Sequence, residues 1–134
     1  MRFFIFPLEN IYVAISADKV KSFVSMENNI DTGHIKIPVC MIFGKREYGQ
    51  NVSCHGIILK QDDGASGILS GDKSYLIITP PVEKDIHIEE KEIQNLPGNF
   101  GGIYYLFNGL YFNNQKLILF LDIEKFISHW QGIK

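Results

Sequence analysis

Cysteine is scarce in this chain. Cys40 and Cys54 are the only two in 134 residues, too few for the disulfide framework of a small secreted domain, and neither belongs to a C-x-x-C pair. Buried, reduced thiols are expected. Positive charge is also short: 13 Lys and Arg stand against 15 Asp and Glu, a formal charge of -2. That leaves no basic footprint of the kind that nucleic acid or an anionic lipid surface selects. No apolar run approaches the roughly 20 residues of a membrane span. Met1–Phe6 is too short for a secretory signal and is soon followed by Pro7 and Glu9. A cytoplasmic protein is expected, with no nucleic-acid partner and no membrane insertion. What is abundant is apolar side chain, at 46% of residues with 13% aromatic. That is enough to bury one core without metals or disulfides, so residues 1–134 are expected to form a single domain.

Punctuation along the chain points to strands. Phe3–Phe6 and Ile11–Ile15 are runs of strand formers separated by Pro7-Leu8-Glu9-Asn10, a hairpin signal. Ser16 is placed to cap a helix in which Val20, Phe23 and Val24 recur at i, i+3, i+4. This predicts a short helix ending near Met26, followed by a connector from Asn28 to Lys36. Ile37–Phe43 reads as a buried strand that Pro38 restricts to an edge or a strand start. A polar stretch from Gly44 to Asn51 leads to a further strand at His55–Leu59 and a turn at Asp62-Asp63-Gly64. Ser74–Thr79 is a strand that Pro80-Pro81 must stop. Ile86-His87-Ile88 is a brief strand with His87 facing solvent, and Glu89–Glu92 is an exposed helical turn ending by Pro97. Gly98, Gly101 and Gly102 mark a loop.

Two strands are then expected, Tyr104–Phe112 and Lys116–Leu121, around a tight turn at Asn113-Asn114-Gln115. After Asp122, a good N-cap, Ile123, Phe126, Ile127 and Trp130 form one stripe of an amphipathic helix. Closely spaced strands without alternating long helices indicate a mainly β fold, an antiparallel barrel or sandwich.

No convergent catalytic set is visible. His34, His55, His87 and His129 are scattered, and none stands at zinc-ligand spacing to another or to a cysteine. Cys54 and His55 are sequence neighbours, which on a strand point to opposite faces. Gly64–Gly67 lacks the lysine of a phosphate loop, Asp62-Asp63 lacks the further ligands of a calcium loop, and the Glu89–Glu92 run reads as a solvated face. No metal, cofactor or catalytic residue is assigned. The aromatics between Tyr104 and Phe112 could stack bases, but no Lys or Arg lies among them. They suit a protein contact better.

The stretch Phe107–Ile127 runs from a glycine-marked strand through a tight turn and an apolar strand into Leu121-Asp122 and a closing helix. It resembles, without a gap, the end of CheW-like domains, the likeness resting on Gly109, Leu119, Leu121, Asp122, Glu124 and Lys125. Ile86–Pro97, the N-terminal order of Phe4–Phe6, Tyr12–Ile15 and Val20, and the Ile37-Pro38-Val39 strand are similar to corresponding segments of that family. The resemblance implies two small interlocked antiparallel β-barrels around a shared apolar seam, with a short helix near the N-terminus and another at the C-terminus. It also implies a non-enzymatic adaptor coupling chemoreceptors to the histidine kinase CheA. The family's kinase-contact surface includes the start of the first helix. Val20 matches a position there and reads equally as a core residue of that helix.

Three departures stand beside the likeness. Ser25–Lys36 has no room for the extra Gly-Asn-Arg-Gly strand that contributes to receptor binding in the family. Met41 stands where an aspartate is usual, and the mid-chain valine-aspartate step is blurred at Ser70-Gly71-Asp72. Two other readings therefore stay open. One is an interaction module of this fold that serves another complex without receptor coupling. The other is a small-molecule-binding or enzymatic barrel using Tyr104, Tyr111 or His55.

Overall fold

The computed structural model describes residues 1–25, 33–43, 54–61, 74–96 and 102–133. Most of the expected connector after Asn28, the Gly44–Asn51 stretch, the turn and loop spanning Asp62–Gly67, the Ser70-Gly71-Asp72 step, Pro97, Gly98 and Gly101 lie outside the described residues.

The first two strands, β1 (Arg2–Leu8) and β2 (Ile11–Ser16), form the expected hairpin, in register from Phe3 opposite Ser16 to Leu8 opposite Ile11. Only Glu9 and Asn10 are left for the turn, and Glu9 takes a left-handed conformation (φ 55°). Pro7 is tolerated inside β1 because its other neighbour, β7 (Lys84–His87), pairs only with Arg2–Ile5.

The expected first helix is a correction. Ser16 does cap, its Oγ accepting from the Asp18 N–H at 3.3 Å, but what it caps is one 3-10 turn at Ala17–Lys19. Val20–Ser25 is then a strand, β3, antiparallel to β5 (His55–Leu59), with Val20 opposite Leu59 and Phe23 opposite Ile57. The spacing of Val20, Phe23 and Val24 fits a helix, but β-branched and aromatic residues are strand formers, and a waiting partner strand decides between the two. A second correction concerns Ile37–Phe43. The strand β4 is Ile35–Pro38, and Val39–Phe43 winds into a 3-10 helix in which Val39, Cys40 and Ile42 are all buried. Pro38 ends an edge strand, as its missing donor requires.

The remaining elements are β6 (Tyr75–Thr79), a 3-10 turn at Glu90–Glu92, a 3-10 helix at Gly102–Leu106, β8 (Phe107–Asn113), β9 (Lys116–Leu121) and helix α1 (Ile123–Ile133). The residues before Phe107, expected in the strand, are thus helical. Asn114 (φ 50°) and Gln115 (φ 65°) form the β8–β9 turn, the doubly left-handed geometry that matches strand twist. Asp122 Oδ1 accepts from the Lys125 N–H at 3.2 Å at the start of α1.

The strands make two sheets, in order β7-β1-β2-β9-β8 and β3-β5-β6-β4. The chain leaves the first sheet after β2 and returns to it at β7. Neither sheet is purely antiparallel: β2 runs parallel to β9 and β4 parallel to β6. Among the described residues neither sheet closes on itself into a barrel. An inner core joins Phe6, Val13, Ile15, Leu119 and Leu121 of the first sheet to Ile37, Ile57, Leu59, Tyr75 and Ile77 of the second. Ile123, Phe126 and Ile127 of α1 complete it, with Trp130 half-buried at its margin. A second set, Phe3, Ile5, Ala14, Ile118, Phe120 and Ile88, lies on the other face of the first sheet. Alternate residues of β1, β2 and β9 thus serve two cores.

Candidate functional site

Val20, the residue singled out by resemblance, lies in the inner core with 8% of its surface exposed. Its strand nevertheless presents a surface. Lys21 and Ser22 are exposed, and Phe23 shows 41% of its area to solvent. The Phe23 ring meets that of Phe4 edge-on, with centroids 4.7 Å apart. The Arg2 guanidinium stands 5.1 Å from the Phe4 centroid while its Nε bonds Asp85 at 2.8 Å. Asp85 is the register partner of Phe4 on β7. The result is an aromatic pair framed by an ion pair where β1, β3 and β7 come together, a composition suited to protein contact. A helical reading puts Phe23 on the buried stripe, so the sequence pattern hides its exposure.

The aromatics of the 104–112 region divide as their strand dictates. Phe107 is buried in the inner core and Tyr111 packs against the outer set, while Phe112 is exposed. Tyr104 and Tyr105 are exposed on the preceding 3-10 helix. The Tyr105 hydroxyl is hydrogen-bonded to His129 Nδ1 of α1, with the two rings edge-on at 5.6 Å.

The groups that could carry chemistry are dispersed. His55 Nδ1 accepts from the Val82 N–H at 3.0 Å, so it braces the link between β6 and β7. His87 is exposed, as expected, with Nε2 3.3 Å from a Glu89 oxygen. Burial pushes the Cys54 thiol up from its ordinary value, the opposite of what a thiolate nucleophile needs. Cys40 is buried, and neither cysteine is in a disulfide. Among the described residues no three His, Cys, Asp or Glu side chains stand together as a metal site. No helix among them is long and apolar enough to cross a membrane. Tyr111 lines a depression that opens on the outer face of the first sheet.

Two sheets interleaved along the chain, sharing one core and closed by a C-terminal helix, make this a CheW-like fold. The solved scaffolding protein TtCheW from Thermoanaerobacter tengcongensis is similar to it with a TM-score of 0.67, over 93% of this chain and 86% of that one, at 14% sequence identity. No family model matches the sequence, and no curated protein matches it.

Proposed function

We propose that this chain is a non-enzymatic adaptor which, like CheW, links a CheA-like histidine kinase to chemoreceptors, its 134 residues acting as one unit. The observation that carries the reading is the shared scaffold fold over nearly the whole chain. The pair formed by half-buried Phe4 and exposed Phe23, the latter on the strand that begins at Val20, supplies a surface for the kinase near the segment to which the family resemblance assigns one. Val20, on the same strand as Phe23, lies in the inner core.

Pull-down and calorimetry against the CheA-like kinase encoded in the same genome test the reading. Binding in the micromolar range is expected, and Phe23→Ser should weaken it by about tenfold or more while leaving the circular dichroism spectrum unchanged. Folded protein that captures no kinase at tens of micromolar would sink the proposal. A second reading, an adaptor of this fold that serves a different complex without receptors, rests on the lack of the family's Gly-Asn-Arg-Gly pattern in Ser25–Lys36, although β3 supplies a strand up to Ser25. Kinase binding with no effect of added receptor would select it.

A further inference from the structure

The outer face of the first sheet is only partly roofed. The segment Glu89–Leu96 crosses it as a strap, with Gln94 exchanging two backbone hydrogen bonds of 2.8 Å with Leu110. Ile93 fits over Gly109, so closely that a Cβ built there would lie 2.7 Å from Ile93 Cγ2. Beside the strap remains an open depression of about 340 Å³ between β7 on one side and the tip of the β8–β9 hairpin on the other. Its walls are Ile5, Ile86, Ile118 and Tyr111, and its rim at the hairpin carries Asn114 and Lys116. That volume is at the small end of ligand sites.

Charge narrows what fits. Among the described residues no carboxylate belongs to the lining, although the chain as a whole carries an acidic excess. Among the described lining residues the cationic side chain that is charged at any ordinary pH is Lys116, whose Nζ sits 4.8 Å from the Tyr12 ring centroid. His87, on the β7 rim, lies 3.3 Å from the Glu89 carboxylate and 3.4 Å from the Met1 ammonium, opposite charges that offset each other there, so the hairpin end is the side that would receive a negative group. We propose that this depression binds a small amphiphilic carboxylate, its aliphatic or aromatic body against Ile5 and Ile118 and its head group at Lys116 and Asn114. A cation of the same shape meets Lys116 unfavourably. A neutral analogue gains only the apolar contact, and a long lipid chain exceeds the space.

The proposal is independent of the adaptor reading and stands or falls alone. The experiment is a titration of the full-length ¹⁵N-labelled protein with octanoate, read by amide chemical shifts, with octanol and octylamine run in parallel. Saturable shifts confined to Ile5, Ile86, Tyr111, Lys116 and Ile118 are expected for octanoate. Lys116→Gln should weaken them roughly fivefold, and Ile86→Asp, which adds a carboxylate to the half-exposed wall, should abolish them. Absence of saturable shifts up to about 10 mM, equal affinity for octylamine or octanol, or an unaltered Lys116→Gln variant would each overturn it.

Discussion

The five-stranded sheet carries a grouped apolar set on each face, whereas in the four-stranded sheet Val20, Ile37, Ile57, Leu59, Tyr75 and Ile77 belong to the inner core and, among the described residues, the only apolar side chains buried on the other face are Ile58 and Leu76, paired across β5 and β6. Among the described residues the outer set contains none of the second sheet. Damage to the inner core should therefore reach both sheets, and damage to the outer set should stay within the first. Helix α1 sharpens the contrast. It follows β9 of the first sheet, yet Gln131 Nε2 donates to the Tyr75 hydroxyl of β6 at 3.0 Å, so it fastens the second sheet as well.

The strongest way to break this contrast is Phe126→Ala. Phe126 is fully buried between the sheets, and its loss should cost about 3–5 kcal/mol. The cost should appear as a lower urea midpoint, with amides of both sheets losing protection together. Protection lost in one sheet alone would mean that the shared core does not couple them. Gly109→Ala comes next, because its new Cβ would meet Ile93 Cγ2 at 2.7 Å and the Gln94 carbonyl oxygen at 3.3 Å. About 1–3 kcal/mol of destabilisation is expected. Hydrogen exchange should speed up at Gln94 and Leu110 and remain unchanged across β3, β5, β6 and β4. Spread into those strands would show that the outer set is not separate. The smallest effect belongs to Tyr75→Phe, which removes the tie from Gln131 for about 0.5–1.5 kcal/mol. Amides near the end of α1 should exchange faster in this variant while β9 holds, and equal loosening of β9 would make the tie part of the first sheet's own stability.

What the sequence reveals depends on how local the deciding interaction is. The β1–β2 and β8–β9 hairpins and helix α1 are legible because turn residues, alternation and the Asp122 cap act within a few positions of one another. Val20–Ser25 reads as a helix until Ile57 and Leu59 come alongside. Both parallel pairings are invisible for the same reason, since an antiparallel neighbour and a parallel one leave the same alternating pattern. The candidate surfaces are still less legible. Phe4, Phe23 and Asp85 are brought together from three strands, and the outer depression draws on β1, β7, β8 and β9. The Tyr111 ring is evident in the sequence, while Lys116 gains its place only from Tyr12 beneath it.

The parallel pairing of Tyr12–Ala14 with Ile118–Phe120 also bears on time. The first sheet cannot be completed from β1 and β2 until a strand more than a hundred positions later arrives, and the whole second sheet is spelled out in between. Closing so long a loop before the contact rewards it places this chain among the slow folders, with refolding in milliseconds to seconds rather than microseconds. During that wait the β1–β2 hairpin has one side of β2 open, with Tyr12, Val13 and Ala14 unpaired on it, so the nascent molecule passes through a stage at which another strand can take the place reserved for β9.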